Sequence, residues 1–262
     1  MNPPLRLGVV PYLNVSPLIF GLDQDGDFQL VREVPSKLAD RLHAGEVDLG
    51  MIPSVEYAAG EYAIVPGVGI CSRGPVQSVN LFHRCALRDV RRIALDSSSR
   101  TSVALLRVLL RERFFLQPEY VTLPPPVGPM LESADAALVI GDPALYFEGD
   151  GNRLDLGKEW TEWTGLPFVW AFWAGRPGVI RPGTVARLQR ALQEGRAAIP
   201  AIASAYNGWG AGRTAQNEAY LRSNIVFDLG EPELRGLGEF LDKAHRAGII
   251  AAVPELRFHG EA

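Results

Sequence analysis

Short apolar runs, each closed by a proline, a glycine or a hydroxyl residue and followed by a helix-forming stretch, alternate along the first half of this chain. Residues 5–10 form one such run and stop at Pro11; residues 28–34 and 47–52 form two more, the last stopping at Pro53. Between them, residues 36–43 set Leu38, Ala39 and Leu42 on one helical face, with Gly45 as the stop. A strand buried on both faces reads as a continuous apolar run, and strands separated by helices pair in parallel. The pattern predicts a parallel sheet covered by helices, with further strands at 68–71 and 78–83.

A second unit starts near Arg91. Strands are expected at 93–95, 120–123 and 136–140, with a periodic helix at 103–113 after Asp96-Ser97-Ser98-Ser99. The aromatic stretch 160–173 reads as a helix end followed by a strand. Helices at 184–193, 199–206, 216–223 and 233–247 then have no sheet of their own. Their apolar faces need cover, and the first sheet is the surface available. The expected architecture is α/β in two lobes, 1–88 with 174–262 and 89–173, joined by crossings near 85–92 and 168–175. Open α/β sheets take ligands at the carboxyl ends of their strands. That directs attention to the loops at 11–17, 53–55, 74–78, 96–102 and 141–143.

Composition narrows what such a cleft can serve. The chain has 262 residues, 47% hydrophobic, enough for a sizeable core. Its formal charge of −4 and the lack of any basic run beyond Arg91-Arg92 argue against nucleic acid as a partner. No run is long enough to span a bilayer, so no membrane role is expected. Cys71 and Cys85 lack metal-ligand spacing, and the start of the chain lacks the apolar core of a signal peptide. Free thiols without an export signal predict the cytoplasm. Phosphate loops and the nucleophile elbow are absent. The four histidines, His43, His83, His245 and His259, fall outside the candidate loops. No metal, nucleotide or other cofactor is expected.

Two loops share a character. Asn14-Val15-Ser16 and the run Ser98-Ser99-Arg100-Thr101-Ser102 put short polar side chains where a helix begins. A helix N-terminus offers unpaired N–H groups and the positive end of its dipole, a receptor for anions. The same residues are also the preferred helix caps. Ser54 and Ser78 lie at strand edges, where either a cleft role or an ordinary turn fits. Gly141-Asp142 fits a cleft carboxylate or a plain cap. Trp160, Trp163, Trp170 and Trp173 read as core and hinge packing.

Six segments, taken together and in order, resemble the chorismate dehydratases of the futalosine route to menaquinone. They are Val10-Pro11-Tyr12-Leu13-Asn14-Val15-Ser16-Pro17, Asp48-Leu49-Gly50-Met51-Ile52-Pro53-Ser54, Gly74-Pro75-Val76-Gln77-Ser78, Asp96-Ser97-Ser98-Ser99-Arg100-Thr101-Ser102, Ile140-Gly141-Asp142-Pro143, and Asp155-Leu156-Gly157-Lys158-Glu159-Trp160 continuing through Trp163-Thr164-Gly165. The resemblance spans about residues 5–175, and the helical tail more loosely. It implies the fold of type II periplasmic binding proteins, used here as an enzyme on the small molecule chorismate. It implies loss of water to give 3-[(1-carboxyvinyl)oxy]benzoate, with Asn14 and Ser78 as catalytic residues. Tyr12, Ser54, Ser98, Ser99, Thr101, Ser102, Gly141 and Asp142 are the expected substrate-binding residues. Thr101 and Ser102, in a first helical turn, are expected to receive one carboxylate. Because a neutral amide is a poor base, two proton acceptors stay open: the substrate's own enolpyruvyl carboxylate or a protein base.

Three rivals are weighed against this reading. The sister enzyme that makes 1,4-dihydroxy-6-naphthoate uses a histidine base in the turn read here as Ile140-Gly141-Asp142, which has none. A cytosolic solute-binding protein would share the fold and lack turnover. The effector domain of a transcription regulator would follow a helix-turn-helix segment, and none precedes residue 5.

Overall fold

In the computed structural model, which describes residues 3–149 and 151–260, the apolar runs form two five-stranded sheets. The strands in chain order are β1 (Leu5–Val9), β2 (Phe28–Arg32), β3 (Leu49–Pro53), β4 (Ala63–Ser72), β5 (Val79–His83), β6 (Arg92–Asp96), β7 (Glu119–Leu123), β8 (Ala136–Ile140), β9 (Asn152–Asp155) and β10 (Phe168–Gly175). The first sheet is ordered β2-β1-β3-β10-β4 and the second β7-β6-β8-β5-β9. In the first, β1 pairs in parallel with β2 and β3, while β10 enters antiparallel between β3 and β4. In the second, β6 pairs in parallel with β7 and β8, and β5 runs antiparallel to β8 and β9.

This topology moves both expected crossings. Strand β5 belongs to the second sheet, so the chain passes between sheets within 73–78 rather than 85–92. Val79, Asn80, Leu81 and Phe82 are all buried, which suits a strand with neighbours on both sides. One neighbour, β9, reads Asn-Arg-Leu-Asp and has no apolar run to announce it. The return lies within 165–167, because β10 sits wholly in the first sheet. The boundaries drawn at 88/89 and 173/174 shift accordingly; residues 1, 2, 261 and 262 of the expected first lobe lie outside the described residues.

The helices are α1 (Pro35–His43), α2 (Thr101–Val108), α3 (Val127–Ser133), α4 (Asp142–Leu145), α5 (Leu156–Thr164), α6 (Thr184–Ala197), α7 (Ile199–Ala205), α8 (Thr214–Ser223) and α9 (Glu231–Arg246). As expected, the terminal helices return to the first sheet. Helix α6 lies on the 3₁₀ helix Leu13–Ile19, so closely that a Cβ at Gly195 would fall 2.1 Å from Pro17 O. Helix α9 buries Leu237, Phe240, Leu241 and Ala244. Phe240 meets Phe168 edge-on, centroids 4.9 Å apart, and Trp160 meets the same Phe168 edge-on at 5.3 Å. Each such side chain contributes roughly 1.5–3 kcal/mol by leaving water. Trp160 and Trp173 are core residues, as expected. No helix among the described residues is long and apolar enough to cross a membrane.

Candidate active site

The carboxyl ends of β1, β3, β4, β6 and β8 face one another, and the loops leaving them line a half-open cleft with about 70 Å3 of room for a ligand in this conformation. Val10, Met51, Ile70, Val76, Ile140 and Trp170 supply its apolar wall. Tyr12, Asn14, Ser78, Ser99, Thr101, Ser102 and Gly141 supply the polar one. Arg100 is the single charged residue on the wall among the described residues.

Ser78 is aimed by a strained turn. Gln77 adopts the left-handed region at φ 61°, uncommon for a residue with a Cβ. The Asp155 carboxylate holds that turn, accepting from Val76 N–H at 3.1 Å, Gln77 N–H at 2.6 Å and Lys158 N–H at 3.0 Å. One side chain therefore caps α5 and clamps the loop that presents Ser78. Ser78 Oγ accepts from the Tyr220 hydroxyl at 2.8 Å. Asn14, on the facing 3₁₀ helix, keeps its Oδ1 buried with no hydrogen-bond partner.

The second polar wall is the start of α2. Ser99 Oγ is likewise buried without a partner, and Ser102 lines the cavity beside it. With the open N–H groups of the first turn, these hydroxyls make an anion-receptive surface. Arg100, just before α2, spans the lobes: Nη1 meets Glu56 at 3.2 Å and Nη2 meets Asp40 at 2.6 Å. Ser36 N–H donates to Ser98 O at 3.0 Å on the same edge, so the lobes are closed here.

Three expected contact residues sit behind the wall. Ser54 is fully buried and donates to Val169 O at 2.7 Å. Ser98 donates its hydroxyl to Asp96 Oδ1 at 2.6 Å and lies against the Tyr12 hydroxyl, whose pKa burial pushes up to about 12. Asp142 is buried one residue beyond Gly141; its Oδ1 accepts from Leu13 N–H at 3.2 Å and its Oδ2 from the Tyr206 hydroxyl. Burial raises the Asp142 pKa above the usual carboxylate value. Short polar side chains at strand ends serve both the cavity and its scaffold, and loop position alone does not separate the two. Gly141 itself has φ 67°, and a Cβ there would come within 2.8 Å of the Tyr12 ring. Thr101 does both jobs: it lines the cavity, and its Oγ1 accepts from Val55 N–H at 3.2 Å across the lobes.

Sequence reasoning missed Tyr206 and Tyr220, which reach the site from the tail, and Trp170, read as packing yet part of the wall. A buried tyrosine needs a partner for its hydroxyl, which was the available signal. Which partner it finds is a matter of tertiary structure. Among the described residues, no three His, Cys, Asp or Glu side chains converge to hold a metal ion.

Solved structures share this architecture at low identity. The periplasmic aliphatic sulphonate binding protein SsuA from Escherichia coli matches with TM-score 0.62 at 17% identity, covering 100% of this chain and 96% of its own. A protein from Archaeoglobus fulgidus matches with TM-score 0.77 at 18% identity over 94% and 98% of the two chains. The fold is thus periplasmic-binding-protein-like. Sequence relatives go further. A protein named chorismate dehydratase from Thermus thermophilus is 32% identical over 91% of this chain and 94% of its own length. Another of that name, from Campylobacter jejuni, is 30% identical over 63% of this chain and 64% of its own. The family model described as "Menaquinone biosynthesis" matches residues 5–246, and the chain belongs to that family.

Proposed function

We propose that the chain is a chorismate dehydratase, a carbon–oxygen lyase that converts chorismate into 3-[(1-carboxyvinyl)oxy]benzoate and water. The observation that carries this is the pairing of two unlike polar walls in one cleft. The start of α2 offers N–H groups and hydroxyls suited to a carboxylate, and Asn14 with Ser78 faces it. The relatives named for this activity support the same reading.

The chemistry needs little beyond such a site. Breaking the ring C3–H bond sends its electron pair through the conjugated C1=C2 bond toward the ring carboxylate. The proton goes to an acceptor, either the substrate's own enolpyruvyl carboxylate or a protein base; breaking the C4–O bond releases hydroxide, which takes that proton and leaves as water, and the ring becomes aromatic. Donors preorganised on the ring carboxylate stabilise the charge that develops there. Asn14 and Ser78 hold the opposite side of the ring. No histidine lines the cavity among the described residues, which disfavours a histidine base. Free thiols such as Cys71 and Cys85 suit the cytoplasm, and we place the enzyme there.

Purified protein incubated with chorismate is expected to form the aromatic product, read by chromatography, at a rate unchanged by a chelator. Tight binding of chorismate with no product would instead make the chain a solute-binding protein. Loss of activity on chelation, restored by a metal, would overturn the mechanism.

The α2 wall can be divided by two variants. Ser102→Ala is expected to weaken chorismate binding about tenfold, one charge-assisted hydrogen bond, with the melting temperature unmoved. Thr101→Val also strands the buried Val55 N–H, so it is expected to lower stability by roughly 1–3 kcal/mol. Calorimetric titration and thermal melts distinguish these outcomes. Unchanged binding in Ser102→Ala would assign the carboxylate to another receptor.

A further inference from the structure

Arg100 belongs to the second lobe, but among the described residues both ion-pair partners of its side chain belong to the first. Nη2 meets Asp40 Oδ1 on α1 at 2.6 Å, and Nη1 meets Glu56 Oε1 on the 3₁₀ helix Ser54–Ala59 at 3.2 Å. Glu56 is itself held in place. Its Oε2 lies 2.9 Å from His43 Nε2, and His43 Nδ1 lies 2.5 Å from the Tyr62 hydroxyl. With Nε2–H donating to the carboxylate, Nδ1 accepts from the tyrosine. One oxygen of Glu56 is thus tied within its own lobe, and the other is turned toward the opposite lobe. Glu56 is 9% exposed, so this arm is little screened by water, whereas Asp40 is exposed.

Neutral bonds cross the same edge. Ser36 N–H donates to Ser98 O at 3.0 Å, the Ser36 hydroxyl donates to Ser97 O at 3.1 Å, and Val55 N–H donates to Thr101 Oγ1 at 3.2 Å. An ion pair that only stiffened a lobe would join two elements of that lobe. Every ion pair of Arg100 joins one lobe to the other instead. The room left in the cleft, about 70 Å3, holds only a handful of water-sized groups at roughly 10–15 Å3 each. A six-membered ring bearing two carboxylate groups is larger, so the lobes must part to admit it.

We propose that Arg100, Asp40 and Glu56 form a latch between the lobes, and that its release gates entry to the cleft and exit from it. The latch is independent of which ligand enters. Its kinetic consequence is stated for chorismate and rests on that reading.

The amides of Ser36 and Val55 report on the parting of the lobes, because each donates across the gap. In Arg100→Met, hydrogen exchange read by NMR is expected to speed up about tenfold or more at these two amides, while amides inside β1 and β8 keep their rates. Glu56→Gln is expected to do the same, and Asp40→Asn less, because its arm is exposed. Raising salt from about 0.05 to 1 M is expected to shift the two wild-type amides in the same direction, which tests the latch where a variant fails to fold. Stopped-flow fluorescence, with Trp170 on the cleft wall as reporter, reads chorismate association. Its rate is expected to rise about three- to tenfold in Arg100→Met. Loss of electrostatic steering predicts the opposite sign, since removing a cation slows the approach of a dianion. Loss of a direct contact to the ligand appears in the dissociation rate instead. Unchanged exchange at Ser36 and Val55, equal acceleration at every amide, or slower association in Arg100→Met would each overturn the proposal. If chorismate does not bind the wild type, the functional reading fails, while the exchange rates still test the latch.

Discussion

Replacing Asn14 or Ser78 by alanine is expected to lower chorismate turnover at least about a hundredfold while each variant stays folded. Removing one preorganised polar group from a closed site commonly costs ~10²–10³ in rate. The folding cost is small for stated reasons. Asn14 Oδ1 has no partner to lose. The main chain at Ser78 keeps its tie to the second lobe, because its carbonyl accepts from Gly141 N–H at 2.8 Å. Ser78→Ala leaves the Tyr220 hydroxyl without its acceptor, a loss of roughly 1–3 kcal/mol in a buried place. Steady-state kinetics beside thermal melts read both quantities. Near-normal turnover in either variant would take that residue out of the reaction. A collapsed melting temperature would make it a scaffold residue.

The second large effect is expected at Asp142→Ala, first in stability and through it in turnover. Alanine strands one buried donor, Leu13 N–H, and leaves the half-buried Tyr206 hydroxyl without its acceptor. At about 1–3 kcal/mol for the buried group and about 1 kcal/mol or less for the half-buried one, the loss is roughly 1–4 kcal/mol. For a chain of this size that lowers the melting temperature by about 2–15 °C. Turnover falls as well, because Leu13 adjoins Asn14 and the first loop loses its anchor to the second lobe. Asp142→Asn keeps an acceptor for Leu13 and is expected to lose much less.

The same pair of proteins carries a pH signature. Burial raises the Asp142 pKa above its unfolded value near 3.8, so folding favours the protonated acid. Its contribution is fully present below pH 3.8 and is lost as pH rises through the folded-state value. Asp142→Asn lacks this loss. Its stability relative to wild type is expected to improve as pH rises from about 4 toward 7. A difference between the two proteins that does not vary with pH would show that Asp142 titrates normally.

Much of the fold was legible from the chain because burial on both faces leaves a direct mark. The strands β3 and β8 read as unbroken apolar runs, β1 as one interrupted only by Arg6 and β6 as one bounded by Arg92 and Asp96, and α1 and α9 show one apolar stripe each. Strand β9 left no mark because its residues are polar and its place depends on β5. Sheet membership is a pairing choice between distant segments, and local pattern does not encode it. Hence β5 was assigned to the wrong sheet although its existence was plain.

The site divides along the same line. The sequence by itself determined which loops meet, since strand ends and helix starts are local features, and it marked Asn14, Ser78 and the serine-rich start of α2. Only the tertiary structure decided which of those hydroxyls face the cavity and which are consumed behind it. Ser54 and Ser98 spend theirs on Val169 O and Asp96, while Ser99 is left without a partner. It also brought in Tyr206 and Tyr220, separated from their partners by 64 and 142 residues. The physical reason is that a hydrogen bond needs a partner within about 3 Å. Local sequence sets a side chain's direction, but the packing of the whole chain sets what it meets.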